Sequence, residues 1–247
     1  MKLSLVIPAH NEEGCIENTI RLHSSALAAE QIPYEILVVN DNSSDSTEDI
    51  LQRLSHDIKQ LRYVNNQPPN GFGLAVRRGL NEYSGDVVAI VMADGSDSAQ
   101  DVIHFYHSIL TGYDCVFGSR FIKGATAHDY PKVKLLCNRI ANLFIRVLFA
   151  FRYNDTTNAF KMYRRNTIDG LRPFLSHHFN LTVELPLKAI TRGYSYNILP
   201  NSWKNRTTGV AKLRLKEMGS RYLFIVLYCL IEKWLSVGDY RKRTKPQ

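Results

Sequence analysis

Short apolar runs alternate with longer amphipathic segments through the first half of the chain. The runs are rich in β-branched residues, which is typical of buried strands. They cover residues 2–9, 34–40, 61–65, 86–93 and 113–119. Apolar positions with helical spacing between them predict helices at about 12–30, 46–58, 72–83 and 99–111. This alternation predicts an α/β domain with a mostly parallel central sheet and helices on both faces.

The second half of the chain has a different pattern. Residues 132–152 have helical spacing but are strongly apolar, and a second apolar helix is expected at about 215–235, before a basic tail. A narrow polar stripe follows the first of these helices: Lys134, Asn138, Asn142 and Arg146. Apolar helices flanked by Lys and Arg are typical of proteins that lie on an anionic membrane face. The alternative is that both helices pack in a larger core or a dimer contact.

Charge and cysteine content narrow the class of protein. The formal net charge of +8 indicates an anionic partner, which could be nucleic acid, a phosphorylated substrate or an acidic membrane surface. No CxxC pair occurs among Cys15, Cys115, Cys137 and Cys229, so we expect reduced core cysteines in a cytosolic protein. We expect no signal peptide, and the longest uncharged run, 222–231, is too short to span a bilayer. A cytoplasmic protein, peripheral on the inner face of the membrane, is therefore expected.

Polar residues follow the predicted strands. They are PAHNEE at 8–13, NDNSSDS at 40–46 and ADGSD at 93–97. Ligands of open α/β sheets bind beyond the carboxyl ends of the strands, so these residues mark one edge of the sheet as the candidate site. The glycines of NGFGLAVRRG, 70–79, do not form a dinucleotide-binding motif, because the third glycine position is Val76 and the first strand does not precede it. We expect these glycines to let a loop start a helix packed closely on the sheet.

Several motifs together resemble the inverting glycosyltransferases of family 2, which have the GT-A fold. They are PAHNEE at 8–13, VVNDNSSDST at 38–47, GSRFIKG at 118–124, NDTTNAFKMYRR at 154–165 and NRTTGVAKL at 205–213. The last three narrow the resemblance to the polyprenyl-phosphate sugar synthases, such as the dolichyl-phosphate mannose synthases. The resemblance implies transfer of a sugar from a GDP- or UDP-sugar to a polyprenyl phosphate. It also implies a GT-A domain over 1–215, followed by an amphipathic helix and basic tail over 216–247.

The resemblance assigns roles on the donor side. The residues expected to bind the nucleotide-sugar are Pro8, His10, Glu12, Asp41, Ala93, Asp94, Arg206 and Lys212. Acids at strand ends can accept hydrogen bonds from a base and a ribose, and cations stabilise the charge that develops on a leaving diphosphate. An acidic loop beside a diphosphate implies a bridging divalent ion, Mg²⁺ or Mn²⁺. We expect Asp94 to be its ligand, with Asp97 assisting.

The sequence departs from the family pattern in the acidic motifs. The family's Asp-x-Asp aligns with Met92-Ala93-Asp94, and Asn40 replaces the first of the paired acids. Both changes leave the metal site open to question. They also keep open a non-catalytic nucleotide-sugar-binding protein as an alternative.

On the acceptor side, the resemblance implies that Arg120, Lys134 and Arg139 hold the lipid phosphate, although Ile140 replaces a small family residue. Asp94, Arg120 and Lys134 form the expected catalytic set, because a phosphate acceptor needs alignment and charge neutralisation but no general base. A family 2 enzyme acting on a hydroxyl would need a base, for which Asp97 or Glu184 are the candidates. Nucleic-acid binding is disfavoured, because the basic residues match no recognised module. The donor sugar and the oligomeric state stay open.

Overall fold

A seven-stranded sheet organises the protein. The computed structural model describes residues 1–128, 130–204, 215–236 and 238–242. Its strands are β1 (Leu3–Ala9), β2 (Tyr34–Asn40), β3 (Leu61–Asn65), β4 (Val87–Ile90), β5 (Cys115–Ser119), β6 (Thr126–His128), β7 (Lys161–Arg164), β8 (Tyr196–Pro200) and β9 (Ser202–Lys204). The sheet order is β3-β2-β1-β4-β7-β5-β8, and β6 pairs separately with β9. Only β7 runs antiparallel to its neighbours in the large sheet, which confirms the mostly parallel α/β prediction.

Helices cover both faces of this sheet. They are α1 (Ile16–Ala29), α2 (Thr47–Asp57), α3 (Phe72–Glu82), α4 (Ala99–Leu110), α5 (Lys132–Phe149), α6 (Arg165–Gly170), α7 (Leu181–Thr191) and α8 (Leu215–Leu235). Successive strand residues point to opposite faces, so Leu5 and Ile7 pack with α1, α2 and α4. Val6 packs on the other face with α3, α6 and α7. A third apolar cluster joins α5, α7 and α8 outside that layer.

The predicted elements of the first half are confirmed except at some ends. The predicted helix at 12–30 begins at Ile16, because the backbone N–H groups of Cys15 and Ile16 both donate to the carbonyl of Glu12 in a turn. The predicted strand at 86–93 ends at Ile90 within the sheet. Gly73 lets α3 start close to a neighbouring loop, since a Cβ there would lie 2.6 Å from the carbonyl carbon of His177. The interpretation of these glycines as packing residues is confirmed.

The two apolar helices are confirmed, and each keeps an exposed apolar face. On α5 the exposed residues are Val133, Leu136, Ile140, Leu143, Phe144 and Val147. On α8 they are Leu223, Phe224, Leu227, Ile231, Trp234 and Leu235. No helix in the described part of the chain is long and apolar enough to cross a membrane. We call these two sets of residues the apolar face of α5 and α8.

The cysteine prediction is only partly correct. All four cysteines are free thiols, and Cys115 and Cys229 are buried as expected. Cys15 is half-buried, and Cys137 is exposed on α5, so the core assignment was wrong for Cys137. The apolar neighbours of Cys137 are themselves exposed, because this part of α5 faces outward.

Candidate active site

The candidate site lies at the edge where the parallel strands end. β1, β2, β4, β5 and β8 all present their carboxyl ends there, and the antiparallel β7 brings its first residue, Lys161, to the same edge. Parallel strands joined by helices gather their following loops on one side. The residues predicted from separate strand ends therefore meet.

The turn after β1 is bonded to the loop after β2. His10 donates from Nδ1 to the carbonyl of Asp41 at 2.8 Å, and the backbone N–H of Glu12 donates to Thr47 Oγ1 at 2.9 Å. Pro8 is buried within β1, opposite Val39 of β2. The predicted donor-side residues at 8–12 and 41 are thus brought together. Glu12 is half-buried just before α1.

Asp41 is a buried carboxylate that organises the loop before α3. Its Oδ1 accepts hydrogen bonds from Asn66 and Asn70, at 2.8 and 3.1 Å, and its Oδ2 accepts the Gly71 N–H at 2.9 Å. These three donors are the kind of groups that a base or ribose was expected to supply. In the structure Asp41 therefore holds the 66–71 loop, and the asparagines of that loop form the surface beside it.

Asn40 illustrates why the missing acid of the pair is tolerated. Its Nδ2 donates to Asn65 Oδ1 at 2.9 Å, and its Oδ1 accepts the Ser43 N–H at 3.3 Å. An aspartate could accept the Ser43 bond but could not donate to Asn65 Oδ1. The Asn40 amide therefore joins the ends of β2 and β3, which is a structural role.

The acidic loop after β4 contains two unlike carboxylates. Asp94 is half-buried, and its Oδ1 accepts the Ser96 N–H at 3.1 Å. Asp97 is buried and accepts the Met92 N–H at 2.9 Å. Burial, with the nearby charges of Asp94 and Asp101, raises the pKa of Asp97 to about 7, although the Met92 bond and Arg120 oppose this. The loop therefore buries the Asp97 side chain, whereas the Asp94 side chain stays partly exposed.

Only part of this loop fits a divalent ion. Among the described residues, no three His, Cys, Asp or Glu side chains converge where they could hold a metal. Mg²⁺ commonly takes one or two protein carboxylates together with substrate phosphates, and Asp94 at the open edge fits that donor set. The geometry does not favour Asp97 as the assisting ligand, because its carboxyl is enclosed and bonded to Met92.

Arg120 forms an ion pair with Asp155, a partner that its own motif does not indicate. Its Nε and NH2 donate to the two carboxylate oxygens of Asp155 at 2.8 and 2.7 Å, and its backbone N–H donates to Oδ2 at 3.0 Å. The Arg120 side chain is 9% exposed and that of Asp155 is 0% exposed. The guanidinium is thus neutralised and enclosed, which does not favour its predicted direct contact with an acceptor phosphate.

Aromatic rings surround this pair and link it to α5. The Arg120 guanidinium carbon lies 5.4 Å from the ring centroid of Tyr130 and 5.9 Å from that of Trp203. Lys134 Nζ lies 5.8 Å from the Tyr130 ring, and the Arg139 guanidinium lies 4.6 Å from the ring of Phe121. The three basic residues predicted for the acceptor therefore lie around one aromatic cluster. Lys134 is half-buried and Arg139 is exposed.

Lys161 is a buried cation beneath the same loop. Its Nζ donates to the carbonyls of Thr156 at 3.1 Å and Thr182 at 3.0 Å, and also to that of Asn158. Burial lowers its pKa to about 7, against the favourable charge of Asp155. The ammonium fastens the backbone of residues 156–158 to α7. This role was missed because a lysine in a short strand is usually exposed.

A small open cavity adjoins the acidic loop. Its volume is about 230 Å³, and it is lined by Gly95, Ser96, Asp97, Ser98, Thr126, Ser202 and Trp203. Asp101, in the first turn of α4, accepts the Ser202 N–H at 2.6 Å and so fixes the strand that bears Trp203. Hydroxyl groups beside an indole ring suit a polyhydroxylated ligand with apolar C–H faces. Trp203 was not predicted as a site residue.

Other predicted residues lie elsewhere. Glu184, a candidate base for a hydroxyl acceptor, is fully buried in α7, and its oxygens accept bonds from Lys188 Nζ and from the N–H groups of Leu175 and Ser176. It is therefore not placed to act as a base. Ala93 is buried in the segment that follows β4, and its carbonyl accepts the Thr19 hydroxyl. Arg206 and Lys212 lie outside the described residues.

Comparison with known families supports an enzymatic assignment. The model of the family described as Glycosyl transferase family 2 matches residues 4–172, which is more than half of the 247-residue chain. The matched region contains the acidic loop, the Arg120 pair, α5 and Lys161. The C-terminal helices α7 and α8 follow it.

Individual relatives agree with this match. The chain is 27% identical over 218 residues to a polyprenol monophosphomannose synthase of Mycolicibacterium smegmatis, covering 85% of the chain and 80% of that protein. It is 30% identical over 225 residues to a dolichol-phosphate mannosyltransferase of Pyrococcus furiosus, covering 88% of the chain but 61% of that protein.

Among solved structures, the glucosyl-3-phosphoglycerate synthase from Mycobacterium tuberculosis, in complex with Mn²⁺, uridine diphosphate and phosphoglyceric acid, has a similar fold. The TM-score is 0.68 at 19% identity, over 94% of this chain and 78% of that one. At that identity the similarity concerns the fold.

Proposed function

The chain belongs to glycosyl transferase family 2, and on that premise we propose that it transfers a sugar from a nucleotide-sugar to the phosphate of a polyprenyl-phosphate lipid at a membrane face. The observation that supports this acceptor most is the position of α5. This helix starts beside the aromatic cluster of the candidate site, and its outer side is the exposed apolar face. A lipid held by that face would present its head group to the acidic edge of the sheet.

The chemistry needs little from the protein beyond positioning. An oxygen of the lipid phosphate forms a bond to the anomeric carbon while the bond from that carbon to the nucleoside diphosphate breaks. The attacking oxygen is already anionic, so no proton has to be removed. This agrees with the burial of Glu184, one of the two candidate bases for a hydroxyl acceptor.

Different residues at this edge of the sheet would bind the metal ion, the donor and the acceptor. Asp94 would hold Mg²⁺ or Mn²⁺, and such an ion supplies charge neutralisation for the departing diphosphate. The cavity beside Trp203 would receive the donor sugar, and the Asn66 and Asn70 surface would face the nucleotide. Lys134 and Arg139 would attract the acceptor phosphate. The Arg120–Asp155 pair would hold the loop that contains Asp155 in place.

The decisive experiment is a panel of nucleotide-sugars offered with polyprenyl phosphate, with free polyprenol and with a simple saccharide, each with and without Mn²⁺. We expect transfer to the phosphate alone. Transfer to a hydroxyl acceptor would establish the alternative family 2 activity, and binding of donors without any transfer would identify a nucleotide-sugar-binding protein.

Variants make this experiment specific to the acidic edge. Asp94→Asn should abolish turnover and metal-dependent nucleotide binding while the fold is retained. Asp57→Asn is the matched control, because Asp57 is an exposed carboxylate at the last turn of α2, far along the chain from the site. Unchanged metal-dependent binding in Asp94→Asn, measured by calorimetry, would rule out the assignment of Asp94.

A further inference from the structure

A second cavity lies along one side of α5 and shares only Arg139 with the residues assigned above to transfer. Its volume is about 170 Å³, and its lining residues are Arg139, Ile140, Asn142, Leu143, Arg146 and Asn154. Two arginines therefore flank one small space next to exposed aliphatic side chains, and the amides of Asn142 and Asn154 are bonded within the protein. We call this space the α5 cleft.

The positive charge of the α5 cleft is not neutralised by the protein. The sequence of α5, KVKLLCNRIANLFIRVLF, contains four basic residues and no acid. Within the described part of the chain, neither the Arg146 nor the Arg139 side chain makes a hydrogen bond or ion pair, and the Arg139 guanidinium lies over the ring of Phe121. Arg120 differs in both respects, since Asp155 neutralises it. A guanidinium stays protonated at any physiological pH, so the cleft retains two positive charges.

The spacing of the two arginines suits one small anion. Arg139 and Arg146 are seven residues apart, which is about two turns and roughly 10 Å along a helix, so both extend from the same side. Asn154 forms the opposite wall and is fixed by Ser119, whose hydroxyl donates to its Oδ1 at 2.6 Å. Two flexible cations facing a fixed amide can approach a tetrahedral oxyanion from both ends.

The opening of the α5 cleft is apolar. Ile140 is 60% exposed and Leu143 is 53% exposed, and both line the cleft and belong to the apolar face of α5 and α8. A free inorganic anion would gain nothing from these side chains. A molecule with an anionic head and a hydrocarbon chain would satisfy both parts of the site.

We propose that the α5 cleft binds the phosphate of a membrane lipid, with Arg139 and Arg146 contacting its oxygens and the lipid chain lying against Ile140 and Leu143. Two lipids supply this chemistry: a phospholipid head group, and the polyprenyl phosphate of the proposed reaction. The second source rests on the proposed function. The first does not, because it requires only that the protein meets an anionic membrane.

The test uses single lipid molecules, so that general attraction to a charged surface does not contribute. The full chain is titrated by calorimetry with dihexanoyl phosphatidic acid and, separately, with geranyl phosphate, both below their micelle concentrations. Arg146→Gln should weaken binding at least tenfold, the scale of losing a charge-assisted hydrogen bond. Arg146→Lys should recover only part of the affinity, since an ammonium cannot bind two oxygens in a fork.

Lys132→Gln is the matched control, because Lys132 is an exposed cation on the same helix but does not line the cleft. Equal weakening by Lys132→Gln and Arg146→Gln, or no binding of either lipid, would overturn the proposal. Weakening for one lipid supports the proposal and identifies that lipid as the source, and weakening for both supports a site that recognises the phosphate they share. Thermal melting checks that Arg146→Gln is folded.

A kinetic measurement separates this proposal from the function. If the acceptor phosphate is the ligand, Arg146→Gln raises KM for polyprenyl phosphate and leaves kcat almost unchanged. If a phospholipid is the ligand, KM in detergent stays the same while calorimetry shows the loss. A protein with no transfer activity at all would disprove the proposed function, and the calorimetric result would still stand.

Discussion

At the scale of single residues, Arg120 and Asp155 form a pair from which neither partner can be removed without leaving a buried charge. Losing one member of a buried ion pair typically lowers stability by about 3–5 kcal/mol. We expect Arg120→Ala to lower the free energy of unfolding by about that amount, measured in urea. The double variant Arg120→Met, Asp155→Leu should recover only part of it, because the Arg120 N–H also loses its acceptor on Asp155.

The control for this cycle is Arg139→Ala. Arg139 is exposed and stacks on Phe121, so its removal should change stability by about 0.5 kcal/mol or less. If Arg120→Ala is as stable as the original protein yet has lost acceptor turnover, Arg120 contacts the phosphate and its bond to Asp155 is exchanged during the reaction.

Glu35 should give the protein a pH dependence of stability at acid pH. Burial opposes its ionisation, but bonds from the Ser4 hydroxyl and from both the N–H and the hydroxyl of Ser84, together with Lys2, lower its pKa from 4.5 to about 2. A carboxyl whose pKa is lower in the folded state stabilises the fold above the unfolded pKa. This contribution is therefore complete above about pH 4.5 and is lost as the pH falls toward 2.

Substituting Glu35→Gln should remove this dependence. The variant should be less stable than the original protein at pH 7 and should approach it as the pH is lowered through this window. Urea unfolding at several pH values between 7 and 2.5 measures the difference. Glu30→Gln is the control, since Glu30 is exposed and its removal should leave the pH profile unchanged. A constant difference across the window would contradict the assignment to Glu35.

At the scale of elements, α5 is oriented with the middle of its polar stripe, Asn138 and Asn142, inward. Asn142 is 2% exposed, and its Oδ1 accepts both the N–H and the hydroxyl of Thr156 at 2.6 Å. Asn138 donates to Thr157 Oγ1 at 2.7 Å. The stripe therefore supports the loop that contains Asp155, while the apolar side of the helix is exposed.

This orientation predicts opposite effects on the two sides of α5. Asn142→Ala leaves the Thr156 N–H buried without its acceptor, so we expect a loss of about 1–3 kcal/mol in stability with little change in vesicle binding. Val147→Ser, on the exposed side, should leave stability nearly unchanged and weaken vesicle binding. Denaturation and flotation of both variants test the pair. Loss of stability in Val147→Ser would mean that this side is covered by protein.

The placement of the regular elements could be predicted where the pattern of residues is strong. Helices α5 and α8 were expected from their spacing, and the strands of the first half from their apolar runs. β7 was not, because KMYR is only four residues with a basic residue at each end. Its position between β4 and β5 depends on pairing with both of them. Helix α7 was missed too, as it contains Pro186.

The site was predictable to a similar degree. Asp41 and Asp94 could be placed at one edge because parallel strands end there. The partner of Arg120 could not, since Asp155 is 35 positions away and nothing local indicates the pairing. The direction of the α5 stripe could not either, because polar residues on a helix are ordinarily exposed. Here Asn138 and Asn142 supply the donors and acceptors for Thr156 and Thr157.

At the scale of the whole molecule, the net charge of +8 and the apolar face of α5 and α8 should act together on an anionic membrane. We expect flotation with anionic vesicles to weaken as salt is raised, because screening removes the attraction of the basic residues. Phe144→Ser with Leu227→Ser should weaken it further at any salt. Leu22→Ser is the control, an equally exposed apolar residue on α1.

Deleting the basic tail does not test its charge alone. Lys242 Nζ bonds Asp114 Oδ2 at 2.7 Å, and its backbone N–H bonds the carbonyl of Arg192 at 2.8 Å. Deleting residues 241–247 would remove these contacts as well as the charge of the tail, so weaker flotation could not be assigned to the charge alone. Flotation that is insensitive to salt and to Phe144 would refute the membrane assignment.

The late position of β7 in the chain has a consequence for biosynthesis. Strands β1 to β4 leave the ribosome first and can pair among themselves, but the outer side of β4 must wait for residues 161–164. At a synthesis rate of roughly 5–20 residues per second, that edge is without its native partner for several seconds. An unpaired strand edge is a template for pairing with another chain. During synthesis, the nascent N-terminal half therefore exposes an edge at which it can pair with another chain.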